Sequence, residues 1–286
     1  MDVNDAKLID GKKLAERLRA AAADKVAAIR EATGVIPSLA TVLVGDDPGS
    51  VMYTRMKRRR CKEVGIVPRR VELPVGTTTE QLIATIRDLA QDDLVHGILV
   101  QHPVPRPIDK RAAFEAIPIA KDVDGVSSAA LGRAILGMPA FVSCTPRGIM
   151  TLLDEYDVDL DGADAAVIGR SPILGRPMAS MLINRHATVT LCHTRTRGLS
   201  TIVRRADLLI AALGRARFIQ GDWIKPGAVV IDAGYNEGNV GDVEFEPALE
   251  RASLITPVPG GVGPMTIATL IDQTADAAAM QLGVTL

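Results

Sequence analysis

Apolar residues recur at helical spacing from Lys12 to Thr33, and Gly34 is placed to close that helix. The period then changes. Leu39–Val44 reads as a buried strand, ended by the turn residues Gly45–Gly49. A helix is predicted from about Ser50 to Val64, stopped by Gly65, and Val67–Leu73 forms a second strand. Thr79–Gln91 is a second helix with a Thr/Glu-rich first turn, and Gly97–Gln101 is a short buried strand. The prolines of the following HPVPRP segment rule out regular structure there. Strand and helix thus alternate as βαβαβ, the pattern of a parallel sheet.

The alternation pauses between about 118 and 147 in a Gly/Pro/Ser-rich stretch and then restarts. Strands are predicted at Asp164–Ile168, Ala187–Leu191, Asp207–Ala212, Gly227–Asp232 and Ser253–Thr256. Gly175–Arg185 and Leu199–Arg205 are helical, and a long helix follows Pro264. The expected fold class is α/β: two α/β domains flanking a cleft, the second a Rossmann-like dinucleotide-binding domain. There is no internal repeat.

Composition sharpens this picture. With 286 residues the chain suits one large or two ordinary domains. Aromatics are 3% of a sequence that is 47% hydrophobic, so the core is built from Ala, Val, Ile and Leu. Such a core suits helix-covered parallel sheets. A net charge of -1 provides no global field to draw in nucleic acid or acidic membrane. No apolar run approaches the roughly 20 residues of a membrane span. The start carries acids where a signal peptide needs a basic flank, and Cys61, Cys144 and Cys192 are isolated. A cytoplasmic location is expected.

Candidate chemistry lies in both halves. The predicted strand ending at Ile168 opens into Gly169-Arg-Ser-Pro-Ile-Leu-Gly175 and then a helix. Glycines at such a turn let the backbone approach a pyrophosphate at the helix N-terminus. The spacing is not G-x-G-x-x-G, so a tight turn without ligand stays open. An NAD site places an acid at the end of the next strand, whereas here Cys192–Arg197 contains none. Thr194 and Arg195 could donate to the 2′-phosphate of NADP, with Arg170 reaching it from the first turn. Solvated loop charges are the plain alternative.

In the first half, Tyr53 and Lys57 share one helix face. A phenol beside an amine facing a cleft is a candidate proton-handling pair. The competing reading is an ordinary basic helix surface, given Arg55 and Arg58–Arg60. Gln101 ends a buried strand, where open α/β sheets hold ligands. Asp122 and Asp124 in KDVDG are candidates to bind an amino-pyrimidine or to cap a turn. The four histidines lack metal-ligand spacing, so no metal is expected.

Together the segments IDGKKLA, VGDDPGSVMYTRMK, GILVQHPVP, KDVDG, CTPRGIM, VIGRSPILGRP, ATVTLCH and TPVPGGVGPMTIATL resemble the bifunctional methylenetetrahydrofolate dehydrogenase/methenyltetrahydrofolate cyclohydrolase family. The likeness spans nearly the whole chain. It implies metal-free oxidation of methylene-tetrahydrofolate by NADP, then hydrolysis of the methenyl product to 10-formyl-tetrahydrofolate. The active-site lysine falls on Lys57, its companion tyrosine on Tyr53, the adjoining glutamine on Gln101 and the pterin-binding aspartate on Asp124. Pro259, Gly260 and Gly261 would border nicotinamide and folate. Gly169, Arg170, Ser171, Gly175, Thr194 and Arg195 would hold NADP.

The implied domains are a folate-binding catalytic domain over residues 1–147, joined by the C-terminal helix 265–286, and a cofactor domain over 148–264. A homodimer is also implied. The chain departs from the family pattern at His102, where leucine is usual, at Val126, where a bulkier residue is usual, and at Thr194, often serine. An enzyme with a single activity, or a non-catalytic folate- or nucleotide-binding protein, remains the alternative.

Overall fold

Burial decides which strand sits at the centre of the first sheet. The chain, seen in a computed structural model, is described over residues 7–286, so the acidic start at residues 1–6 lies outside the described residues. Helix α1 (Gly11–Thr33) leads to β1 (Ser38–Val44), whose seven residues are all buried. Next come α2 (Pro48–Glu63), β2 (Val67–Leu73), α3 (Thr79–Gln91) and β3 (Gly97–Val100). The order is β2-β1-β3 with both pairings parallel, Leu39 facing Pro68 on one side and Gly97 on the other. β2 is an edge strand and correspondingly half exposed. Helix starts follow local chemistry. The Asp47 carboxylate accepts from the Ser50 amide, ahead of a first turn that opens with Pro48. Thr78 and Gln81 form a reciprocal capping box on α3.

The stretch read as a pause holds more helix than its composition indicates. It contains α4 (Lys110–Glu115), a 3-10 turn at Ile119–Lys121, α5 (Ser128–Ile135) and the start of α6 (Cys144–Glu155). Pro146 lies in the first turn of α6, where a missing N–H costs nothing, so its breaker signal misleads.

The second sheet is built from β4 (Asp164–Ile168), β5 (Thr188–Cys192), β6 (Leu208–Ala211), β7 (Val229–Asp232) and β8 (Leu254–Ile255). The intervening helices are α7 (Gly175–Ile183), α8 (Leu199–Val203) and α9 (Phe245–Arg251), and α10 (Val262–Leu282) ends the fold. All pairings are parallel, in the order β5-β4-β6-β7-β8. The sheet is doubly wound: the direction of winding reverses between β4 and β6, which makes their carboxyl ends the topological switch point. Ile168, Leu209, Ala211, Val230 and Ile255 belong to its apolar core.

By packing, the chain divides into two units. One comprises Glu16–Arg133, Pro139–Val142 and Ile267–Leu286 and holds the first sheet. The other holds the second sheet and includes Ser143–Thr266, Ala134–Met138 and the segment through Ala15. A division at 147/148 therefore differs from the packing at its edges. The reason is local. Leu8 bridges to Ile255, the Ile9 amide donates to the Ile255 carbonyl (2.9 Å), and the Asp10 amide donates to the Tyr156 hydroxyl (2.7 Å). In the unit of the first sheet, α10 is tied in by Lys25, which pairs with Asp272 and Asp276 at 2.7 Å each.

Candidate active site

The buried face of α2 dictates where its functional residues stand. Ser50, Thr54 and Cys61 are buried, which leaves Tyr53 and Lys57 half-buried beside them, one helical turn apart. Lys57 Nζ donates to Gln101 Oε1 at 2.9 Å. Gln101 follows β3, and its amide continues the sheet by donating to the Val42 carbonyl (2.8 Å). The Gln101 side-chain nitrogen donates to the His102 carbonyl (2.7 Å). That second bond fixes which end of the amide faces the lysine: a carbonyl accepts only, so the nitrogen must point to it and the oxygen to Lys57.

The two aspartates of KDVDG separate cleanly. Asp122 is fully buried and accepts from the amides of Val126 (3.1 Å) and Ser127 (2.9 Å). Burial pushes its carboxyl up, against those hydrogen bonds. It closes the turn. Asp124 remains half-buried and makes none of the turn's bonds described for Asp122. His102 stands in the same neighbourhood. Its Nδ1 lies 3.1 Å from the Val100 carbonyl, which places a proton on that nitrogen, and its ring meets Phe114 edge-on at 5.8 Å. Burial holds the imidazole below its ordinary value, Asp124 pulls the other way, and Lys57 reinforces the burial. The structure thus gathers Lys57, Gln101, His102 and Asp124 near the carboxyl end of β3, with Tyr53 one turn from the lysine.

The glycine turn lies in the other unit. Gly169 follows β4 with φ +129, and a Cβ there would sit 2.2 Å from the Ala212 carbonyl oxygen at the end of β6. A Cβ on Gly175 would sit 1.8 Å from the Gly169 carbonyl oxygen. Only glycine lets these backbones pass so closely. Arg170 and Ser171 are exposed on the turn, and α7 opens at Leu174 without a side-chain cap. At the end of β5 the His193 amide donates to Thr196 Oγ1 (2.9 Å), and the Arg195 amide to His193 Nδ1 (3.1 Å). These bonds turn the loop so that Thr194, Arg195 and Arg197 are exposed. Pro259, Gly260 and Gly261 precede α10, with the Gly261 amide donating to the Pro257 carbonyl (2.9 Å). A turn at the switch point that begins and ends on glycine, exposed arginines and an acid-free strand end fit a phosphorylated dinucleotide.

Comparison with known proteins agrees with this division of labour. The family model "Tetrahydrofolate dehydrogenase/cyclohydrolase, catalytic domain" matches residues 9–124, and "Tetrahydrofolate dehydrogenase/cyclohydrolase, NAD(P)-binding domain" matches residues 143–282. A relative in Streptomyces avermitilis, "Bifunctional protein FolD 1", is 60% identical over 98% of this chain and 97% of its own. A crystal structure of a bifunctional methylenetetrahydrofolate dehydrogenase/cyclohydrolase from Campylobacter jejuni superposes with TM-score 0.93 at 44% identity, covering 96% of this chain and 98% of that one. A Trypanosoma brucei methylenetetrahydrofolate dehydrogenase-cyclohydrolase, solved with NADP and an inhibitor, gives TM-score 0.92 at 35% identity over 96% and 97% of the two chains. With two consecutive family models covering both sheets and identity this high along nearly its whole length, the chain belongs to the tetrahydrofolate dehydrogenase/cyclohydrolase family.

Proposed function

We propose that this protein oxidises 5,10-methylenetetrahydrofolate to 5,10-methenyltetrahydrofolate with NADP and hydrolyses that product to 10-formyltetrahydrofolate. The observation that carries the reading is the Lys57–Gln101 bond of 2.9 Å, made by an amide whose orientation is already set by the His102 carbonyl. NADP, held by Gly169, Arg170, Ser171, Gly175, Thr194 and Arg195, supplies the hydride acceptor. In the second half-reaction water adds to the methenyl carbon and loses a proton. The bond from that carbon to N5 then breaks as N5 takes up a proton and the new hydroxyl gives one up to become the formyl carbonyl, so one proton leaves overall. Lys57 manages these protons, Gln101 holds its Nζ in place, and Tyr53 lines the folate pocket. Pro259, Gly260 and Gly261 contact substrate through the backbone.

Formation of NADPH and loss of the methenyl absorbance on adding methylene-tetrahydrofolate and NADP tests both halves at once. No NADPH refutes the first half. Accumulation of methenyl product at only its spontaneous rate of decay refutes the second. The protein is further read as a cytoplasmic homodimer. Three buried cysteines, well separated in the sequence, support a reducing compartment, and the family resemblance supports the dimer. No helix among the described residues is long and apolar enough to cross a membrane. Light scattering should give twice the 30.3 kDa chain mass.

Two binding assignments have direct tests. Asp124→Asn should weaken folate binding, because an amide offers one acceptor oxygen in place of two to the pterin edge. Folate affinity unchanged in a titration removes Asp124 from the site. Arg170→Ala should raise the KM for NADP about tenfold or more, and far more than that for NAD, if its guanidinium pairs with the 2′-phosphate. Thr194→Asp should move preference further towards NAD by repulsion. Equal losses with both cofactors, at one salt concentration, would show that these residues do not read the phosphate.

A further inference from the structure

Two buried carboxylates at the ends of the second sheet are absent from the site described so far. Asp232 is the last residue of β7, and Asp242 lies ten residues on; they are 4% and 0% exposed. Asp242 accepts from three consecutive amides of the loop after β6: Leu213 (2.6 Å), Gly214 (2.9 Å) and Arg215 (2.8 Å). Gly214 has φ +66, the left-handed step that makes successive N–H groups converge into an anion-binding concavity. Here the chain fills that concavity with its own carboxylate, and Asn236 Nδ2 adds a fourth donor at 3.0 Å. Asp232 in turn holds Asp242. It accepts from the amides of Asp242 (3.0 Å), Val243 (2.8 Å) and Gly234 (2.9 Å). The Asp232 amide donates to Thr256 Oγ1 (2.7 Å), the residue that opens the segment leading to Pro259–Gly261.

The loop so fixed stands at the switch point. It begins at Ala212, whose carbonyl is the atom that a Cβ on Gly169 would strike. We propose that Asp242, held by Asp232, is a positioning residue for the cofactor: by occupying the three-amide nest it sets the loop after β6 against the Gly169 turn and links both to the segment after β8. The inference rests on the NADP-dependent reading above and adds to it the residues that shape the cofactor's floor. Neither aspartate stands out in the sequence, because Asp242 looks like an ordinary loop acid and Asp232 simply ends a short strand; the signal is an acid ending a buried strand, followed by a second after a glycine.

The electrostatics carry a testable signature. Burial pushes the Asp232 carboxyl up to about 6, against its three N–H donors, and Asp242 adds to the push. Asp242 is the charged group acting on it; Arg215 and Arg217 on the facing loop are exposed, with Arg215 drawn over the Phe218 ring at 4.3 Å. The native fold therefore binds this proton more tightly than the unfolded chain does. Its contribution to stability is complete at low pH and is lost as pH rises through about 6. The loop geometry needs the opposite form, the acceptor-only carboxylate.

The experiment measures NADP dissociation constants by titration, both activities, and melting temperature for wild type, Asp242→Asn and Asp232→Asn. Asp242→Asn should weaken NADP about tenfold or more and lower dehydrogenase kcat/KM in step, with cyclohydrolase turnover falling by a clearly smaller factor. Relative to Asp232→Asn, wild type should gain NADP affinity and lose melting temperature between pH 5 and 7.5. That comparison cancels the 2′-phosphate of NADP, which titrates near pH 6 in both proteins. Should Asp242→Asn fail to fold, Asn236→Ala removes one bond to the same carboxylate and should weaken NADP selectively, by a smaller factor. Unchanged NADP affinity in the folded variants, equal loss of both activities, or stability and affinity rising together with pH would each overturn the proposal. Wild-type protein that fails to bind NADP would instead refute the cofactor reading beneath it.

Discussion

Lys57→Met is expected to lower cyclohydrolase turnover by about a hundredfold or more, since a positioned acid–base group contributes roughly 10²–10⁴. Methionine keeps the length of the stem and removes the ammonium. Gln101 loses its donor but stays anchored by the His102 carbonyl, so the surrounding pocket keeps its shape. Folate and NADP should both still bind in titrations, which separates a lost proton carrier from a collapsed site. Hydrolysis of methenyl-tetrahydrofolate by this variant at near-normal rate would remove the lysine from the mechanism.

Gly175→Ala should act on the other activity. The added carbon would lie 1.8 Å from the Gly169 carbonyl oxygen and 2.5 Å from its carbon, both backbone atoms, so no side-chain rotation relieves the clash. The turn between β4 and α7 must open, and the backbone that should approach the pyrophosphate moves with it. We expect dehydrogenase kcat/KM to drop about a hundredfold, a loss of roughly 2.7 kcal/mol, with cyclohydrolase turnover largely kept. Gly132→Ala is the matched control: it too is a helical glycine, and a Cβ there meets nothing within 4 Å. Dehydrogenase activity surviving in Gly175→Ala would show that the turn is no cofactor cradle.

The strands were the most legible part of the sequence. β2 and β4 match their predicted bounds and the other strands agree closely; buried parallel strands such as β1, β3, β4 and β6 leave a short apolar run between turn residues, whereas the half-exposed β2 is bounded by Gly65 before it and Pro74 after it. Helices α4, α5, α6 and α9 were not legible: α4, α5 and α9 are eight residues or fewer and are held by packing more than by periodicity, and the longer α6 is masked by the proline in its first turn. The candidate site was legible as residue types. Which aspartate of KDVDG closes the turn, which way the Gln101 amide faces, and which segments join the second sheet all depend on contacts between residues distant in the chain. So does the nest at Leu213–Arg215, whose partner lies beyond the next strand.

The burial of Cys61 bears on how this protein can be labelled. The thiol lies on α2 one turn beyond Lys57, and burial pushes it up to about 12, with Lys57 pulling against that rise. At neutral pH its thiolate fraction is about one part in 10⁵, and the thiolate is the form that reacts with electrophiles. Cys144 and Cys192 are buried as well. Maleimides and iodoacetamide therefore have no ready target on this helix, and an amine-directed affinity reagent carried there by a folate scaffold meets no competing sulfur. The same burial makes an introduced surface cysteine a clean handle for spectroscopic probes, with the three native thiols left in place.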